Sequence, residues 1–343
     1  TGGMEAAVAN TLSGGDKVVC FSNGAFGERF HGICKAFGVD ARRVDVTWGR
    51  AVDPDIVRDE LAKEKGRDGA KAVLVTHNET STGVLNPLKE IAEIVRDADK
   101  LLIVDSISGA GAVELEVDAW GIDVLVTGSQ KAWGAPPGLA MVAMGPRAWK
   151  AYDRSNLPKF YFDLQAAKAA AEKGMTPSTP AVTIFIALQE SLKLMAEEGI
   201  EGIVQRHKDL AYATRRGLQA LNLPLFADEA HASPTVTSFR SPTRVDSRNL
   251  IRILRESYDT IIGGGQGRLE GQIARVGHMG FVTIQDIVAF FSTLELALRD
   301  LNQPVEPGRA ITACLRAYDE ATQPPPKIAR TAARAAAAVS ARR

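Results

Sequence analysis

Between residues 17 and 144 the chain repeats one unit: a short apolar run, a turn carrying glycine or polar residues, and a segment with its apolar residues on one helical side. Strands buried on both faces read as continuous apolar runs, and the helices joining them cover those faces. The repetition therefore predicts a mostly parallel sheet enclosed by helices. Strands are expected at Lys17 to Phe21, Ala72 to Thr76, Leu101 to Val104, Val124 to Thr127 and Leu139 to Met144. Helices are expected over roughly Ala25 to Phe37, from the cap and first-turn proline Asp53-Pro54 to Lys65, and over Pro87 to Ala98, where Leu88, Ile91, Ile94 and Val95 share one side. In such sheets the ligand crevice opens just past the carboxyl ends of the strands, which is where Asp105 and Lys131 fall.

Residues 1–182 are expected to form this large domain, 183–221 bridging helices, and 222–302 a smaller α+β domain. In the last, Thr235 to Phe239 and Ile273 to Val276 read as strands, and Ser247 to Tyr258 and Thr283 to Leu301 as helices. The abrupt helical start behind Thr1-Gly2-Gly3 suggests further sequence upstream. Beyond Gln303 the composition shifts to Ala, Pro and Arg, so 303–343 is expected to be a disordered tail or a weakly packed helix without chemistry.

Lys plus Arg and Asp plus Glu both number 41, so no net field points to nucleic acid or an anionic membrane. No apolar run is long enough to cross a bilayer, and Cys20, Cys34 and Cys314 make an odd, dispersed set. A soluble protein of a reducing compartment, the cytoplasm, is the expectation. The five histidines are scattered, and Gly263-Gly264-Gly265-Gln266-Gly267 lacks the strand–turn–helix context of a dinucleotide site. That glycine run reads as a flexible turn.

The chemistry is concentrated in a few segments. Lys131, in Gly128-Ser129-Gln130-Lys131-Ala132-Trp133-Gly134, can form a Schiff base if its surroundings favour the neutral amine, and can then move a proton at an adjacent carbon. Asp105 ends a run too apolar for a surface strand, so its carboxylate needs donors or a cation such as a protonated ring nitrogen. Gly2-Gly3 opens a helix whose free amides can meet a phosphate, Phe26 can stack on a flat ring, and the hydroxyls of Thr76 to Thr82 can contact a phenolate or phosphate. Arg275, in Ile273-Ala274-Arg275-Val276-Gly277, has a fork that suits a carboxylate. Taken singly, each has a plainer account: a solvated lysine, a turn-organising aspartate, a helix start, a core aromatic, a local cap, a salt bridge.

Taken together, Thr1-Gly2-Gly3-Met4-Glu5, Asn23-Gly24-Ala25-Phe26-Gly27, His77-Asn78-Glu79-Thr80-Ser81-Thr82-Gly83, Val104-Asp105-Ser106, Gly128-Ser129-Gln130-Lys131 with Pro136-Pro137-Gly138, and Arg275-Val276-Gly277-His278-Met279-Gly280 resemble the class V, fold-type I aminotransferases, especially the alanine–glyoxylate and serine–glyoxylate group. The resemblance spans residues 1 to 302. It implies a large domain with a mostly parallel seven-stranded sheet, a smaller C-terminal α+β domain, and a homodimer with active sites at the subunit boundary. It makes pyridoxal 5'-phosphate the cofactor, with Lys131 as its imine lysine and Asp105 as partner of the ring nitrogen. It also implies Ile107 and Phe26 on opposite ring faces, Gly2, Gly3 and Gln130 at the phosphate, Thr80 near the ring oxygen, Thr179 reaching the phosphate of the other subunit, and Arg275 on the substrate carboxylate.

The implied reaction moves the amino group of alanine or serine to glyoxylate or another small 2-oxo acid. Lys131, Asp105 and Arg275 would equally serve aspartate-, phosphoserine- or phosphonate-type substrates. A cysteine desulfurase would place histidines where Gln130 and Phe26 stand and a cysteine in a catalytic loop. Intact Lys131 and Asp105 argue against an inactive structural homologue. Thr176 stands where some relatives carry a tyrosine that touches the partner's phosphate.

Overall fold

Alternation along each buried run decides how the sheet is covered. In the computed structural model, which describes residues 1–323 apart from Lys65, Arg67 and Asp68, six strands pair in the order β2-β1-β3-β6-β7-β8. They are β1 (Lys17–Ser22), β2 (Asp40–Asp45), β3 (Ala72–Thr76), β6 (Leu101–Asp105), β7 (Val124–Gly128) and β8 (Ala140–Met144), while β4 (Asn78–Glu79) and β5 (Val84–Leu85) form a separate hairpin. All neighbours in the sheet run parallel except β7 and β8. Val18, Cys20, Leu74, Ile103 and Val124 point into one apolar layer and Val19, Phe21, Val73, Val75, Leu102 and Val104 into the other, the period-two alternation of a sheet buried on both faces.

Helices α1 (Gly2–Thr11) and α2 (Ala25–Ala36) contribute Met4, Val8, Phe30 and Cys34 to the first layer, and α3 (Pro54–Ala62) and α4 (Leu88–Asp97) contribute Val57, Leu61, Ile91 and Val95 to the second. Asp53 caps α3 by accepting the Asp55 amide at 2.9 Å. The short α5 (Val117–Trp120), α6 (Pro146–Tyr152) and α7 (Leu164–Ala171) follow.

Among the described residues the sheet has six strands where the resemblance implied seven. Between β8 and α8 (Val182–Glu198), Asp163 caps the alanine-rich segment that forms α7, accepting the Gln165 amide at 3.0 Å. Strand β2 has no continuous apolar run because it is an edge strand in which, apart from the buried Ala41, residues are exposed or only partly buried.

Helices α8 and α9 (Ile200–Ala220) lead to a second sheet, β10-β11-β9, made of β9 (Val236–Arg240), β10 (Gly263–Gly264) and β11 (Ile273–Gly277). Helix α10 (Ser247–Tyr258) and helix α11 (Ile284–Asp300) cover it, with Leu250, Leu254, Phe291 and Leu294 in the core. The expected tail departs from expectation over residues 309–322, which form helix α12 (Arg309–Thr322) packed into the same core. Ala310, Cys314 and Ala317 recur at helical spacing and are buried, and the Glu295 carboxylate accepts the Gly308 and Ala310 amides at 2.6 and 2.8 Å. Alanine-rich composition concealed a narrow apolar stripe. The remainder of the expected tail, 324–343, lies outside the described residues.

Among the described residues no helix is long and apolar enough to cross a membrane. The three cysteines are buried free thiols.

Candidate active site

The carboxyl ends of β1, β3, β6 and β7 share one edge of the sheet, as the register pairs Thr76 with Asp105 and Asp105 with Val126 show. Asp105 is 2% exposed and accepts the Ile107 amide at 2.9 Å. Among the described residues no cation forms an ion pair with it. Burial pushes its pKa up to about 7, the Ile107 amide opposes that, and the Glu79 charge adds to it. A buried carboxylate with one amide donor and no ion-paired cation, the Arg29 charge acting on it only from a distance, fits a cationic ring nitrogen.

Lys131 lies three residues past β7, in a loop tied across its base. The Ser129 hydroxyl donates to the Pro136 carbonyl at 2.7 Å, the Ala135 amide returns to the Ser129 carbonyl at 3.0 Å, and the Trp133 indole donates to Thr127 at 2.8 Å. Gly134, at φ +65°, lets this loop pass under Phe281 of the small domain, where a Cβ would come within 2.6 Å of the ring. The Lys131 amine is half-buried. Burial lowers its proton affinity, Arg275 lowers it further, and Asp105 works in the opposite sense. The amine thus senses both partners expected of it.

Arg275, on β11, spends two of its nitrogens on the protein: Nε donates to the Gly264 carbonyl at 2.7 Å and Nη1 to the Thr80 carbonyl at 2.8 Å. Among the described residues Nη2 has no hydrogen-bond partner. The glycine run that read as a flexible turn is instead partly ordered as β10, against the guanidinium. A Cβ on Gly263 would lie 3.4 Å from Nη2, and one on Gly265 would strike the Leu269 carbonyl at 1.9 Å. Close backbone approach, rather than mobility, accounts for those glycines.

The Thr80 hydroxyl lies 2.6 Å from that of Ser108, which donates to the Asn78 carbonyl at 2.9 Å; Asn78 Nδ2 in turn donates to Ser108 and Thr235. Asn78 Oδ1 is buried without a partner. Phe26 is the second residue of α2, and the Arg29 guanidinium stands 4.7 Å above its ring. Ile107 leans on the apolar layer containing Val126 and Val142.

A cavity of about 540 Å³ brings together Gly2, Gly3, Gln130 and Thr179. Gly2 and Gly3 open α1, where the first intrahelical amide bond is Glu5 to Thr1 at 3.0 Å, so the amides before it are free to meet an anion. A Cβ on Gly3 would lie 2.7 Å from Val126 Cγ1, which explains why a glycine lets the helix start approach β7. Thr179, expected to reach across to another subunit, lines this chain's own cavity.

Nothing in the sequence singles out Glu79, Asn78 or Ser108 within their segments. Glu79 is fully buried and accepts the Phe26 and Gly27 amides at 3.1 and 3.0 Å. Apart from Ser81, its donors lie more than fifty residues away in α2, and no local pattern joins them.

The family model for class-V aminotransferases matches residues 3–281. The chain is 43% identical over 323 residues to the small subunit of a soluble hydrogenase from Synechococcus, covering 94% of this chain and 84% of that protein. It is 35% identical over 326 residues to L-aspartate–glyoxylate aminotransferase of Paracoccus denitrificans, covering 94% and 82%. The crystal structure of the ureidoglycine–glyoxylate aminotransferase of Bacillus subtilis superposes with a TM-score of 0.87 at 31% identity, covering 93% of this chain and 82% of that one. With the model match spanning most of the chain, and the lysine and aspartate at one edge of the large sheet within reach of an arginine from the small one, the chain belongs to the class-V aminotransferases and is a pyridoxal-phosphate-dependent enzyme.

Proposed function

We propose that the chain transfers the amino group of alanine or serine to glyoxylate or another small 2-oxo acid. The observation that carries this reading is the company of Lys131. Its half-buried amine is perturbed by one cation, Arg275, whose Nη2 is left for a ligand once Nε and Nη1 are tied down. One free nitrogen beside the reacting amine suits the α-carboxylate of a small amino acid; a second carboxylate or a phosphate on the side chain would call for a second cation there. The glyoxylate acceptor is supported by the similarity to the Paracoccus and Bacillus enzymes named for it.

In this reading Lys131, kept poor in protons by burial and by Arg275, is the nucleophile and then the base that removes and returns the proton at the substrate Cα. Arg275 fixes the carboxylate so that this proton faces Lys131. Asp105 holds a proton on the cofactor ring nitrogen, Phe26 and Ile107 flank the ring, and Thr80 meets its oxygen. The amides of Gly2 and Gly3, the Gln130 side chain and Thr179 hold the phosphate. Bound pyridoxal phosphate supplies the electron sink.

The functional unit we propose is a homodimer. Val182, Phe185, Ile186 and Leu192 of α8 are 43–55% exposed and line an apolar groove with Met175 beside Thr179, where a second subunit would cover them. Light scattering on the purified protein checks this, and a monomer at micromolar concentration would contradict it.

The reaction is tested by the absorption spectrum of the protein loaded with pyridoxal phosphate. Adding L-alanine or L-serine is expected to remove the visible band of the lysine-bound cofactor and glyoxylate to restore it, with Lys131→Ala showing neither change. A band that answers L-aspartate and ignores alanine and serine would move the donor to the acidic class. No band in folded protein would sink the assignment of Lys131.

A further inference from the structure

Glu79 is a fully buried carboxylate to which the proposed reaction gives no task. It ends β4, and its two oxygens take four donors: the amides of Phe26, Gly27 and Ser81 at 3.1, 3.0 and 3.1 Å, and the Ser81 hydroxyl. Ser81 Oγ also accepts the Ala25 amide at 2.8 Å. The first three amides of α2 are therefore satisfied from the β4–β5 hairpin and not by a residue at the helix start.

Helices are ordinarily capped by a local Ser, Thr, Asp or Asn, which needs no buried charge. Here the cap position is Gly24, and a Cβ on it would lie 2.3 Å from both Cγ and Cδ of Glu79 and 2.5 Å from Ser81 Oγ. The helix start is kept bare so that a distant carboxylate can enter. Burying that carboxylate is costly, its charge reaches both Asp105 and Arg275, and a plain cap would need neither.

The same hairpin is fastened to the small domain. The Ser238 hydroxyl donates to the Thr82 carbonyl and the Ser233 amide to the Gly83 carbonyl, while the Thr80 carbonyl, next to Glu79, receives Arg275 Nη1 at 2.8 Å. We propose that Glu79 is a positioning residue: by capping α2 from the hairpin it sets where the Phe26 ring stands, in register with Thr80 on the same hairpin and with Arg275, which is bonded to it. The inference rests on the reading of Phe26 as the plate under the cofactor ring.

The test is a double-mutant cycle on cofactor affinity, measured by quenching of apoprotein fluorescence with pyridoxal phosphate, with the apoprotein's unfolding midpoint recorded beside it. Glu79→Gln keeps the size of the side chain but turns an amino group toward amides that need an acceptor. It is expected to weaken binding about tenfold in the native background and less than twofold in a Phe26→Ala background. Equal losses in both backgrounds, or no loss in the native one, would overturn the inference while leaving Phe26 as the plate. Full affinity in Phe26→Ala alone would remove the plate and the inference with it. Ser81→Ala, which takes away the Ala25 cap and one donor to Glu79, serves if Glu79→Gln does not fold; a loss of about threefold that needs Phe26 is expected, and a loss indifferent to Phe26 overturns the proposal.

Discussion

Replacing Asp105 by Asn isolates the strain placed at the site before any cofactor arrives. In the ligand-free protein the Asp105 pKa is raised from an ordinary 3.8 to about 7, chiefly by burial. A raised carboxylate binds its proton more tightly folded than unfolded, so the native state holds more protons between these values and stability falls as pH rises through them. At 1.36 kcal/mol per pH unit the full cost is about 4 kcal/mol above pH 7, of which about 3 kcal/mol develops between pH 5 and pH 8. Asparagine has the same shape and no charge to desolvate. Urea unfolding of the apoprotein should therefore show Asp105→Asn to be more stable than the native chain at pH 8 by a few kcal/mol, with most of that gain gone at pH 5. The holoprotein should reverse the order, because the ring nitrogen's charge then offsets the buried carboxylate. A gain independent of pH, or a native apoprotein that becomes more stable as pH rises relative to the variant, would refute the account of Asp105 as an uncompensated buried charge.

Arg275→Lys removes the fork that is anchored on Gly264 and Thr80, and is expected to raise KM for the amino donor about a hundredfold, as for losing about 2–3 kcal/mol of charged hydrogen bonding; steady-state kinetics with cofactor affinity unchanged would agree, and an unchanged KM would not. Glu295→Ala strips the cap from α12 and should cost about 1–2 kcal/mol in denaturant unfolding, whereas a weakly packed tail would give no loss. Gly83→Ala forces a left-handed position at φ +76° and brings a Cβ within 2.6 Å of Ser238 Oγ, so about 1–3 kcal/mol of stability should be lost, readable as a lower Tm.

What the sequence disclosed and what it withheld divide along the range of the interactions. Asp105 and Lys131 were legible because each ends or follows an apolar run, and a charge at that point of a parallel sheet opens on the crevice. Gly2 and Gly3 were legible because a helix start acts through its own amides. Arg275 was visible only through its motif, since nothing local tells a carboxylate-binding arginine from a salt-bridged one. The collar that orients it, the Gly264 and Thr80 carbonyls, comes from a strand 11 residues away and a turn 195 residues away. Glu79 was hidden for the same reason: apart from Ser81, its donors belong to a helix 53 residues earlier, and a glutamate entering a polar turn has no local mark of burial. Edge strand β2 and helix α12 were hidden differently, by composition: Arg42 and Arg43 break the apolar run of the first, and alanine masks the three-residue stripe of the second. The residues that make the site reactive are thus local features of single elements, and those that hold these elements in register are long-range. Substitutions at Asp105 or Lys131 should accordingly alter charge and chemistry with the fold kept, whereas substitutions at Glu79 or Gly83 should loosen the geometry of several site residues at once.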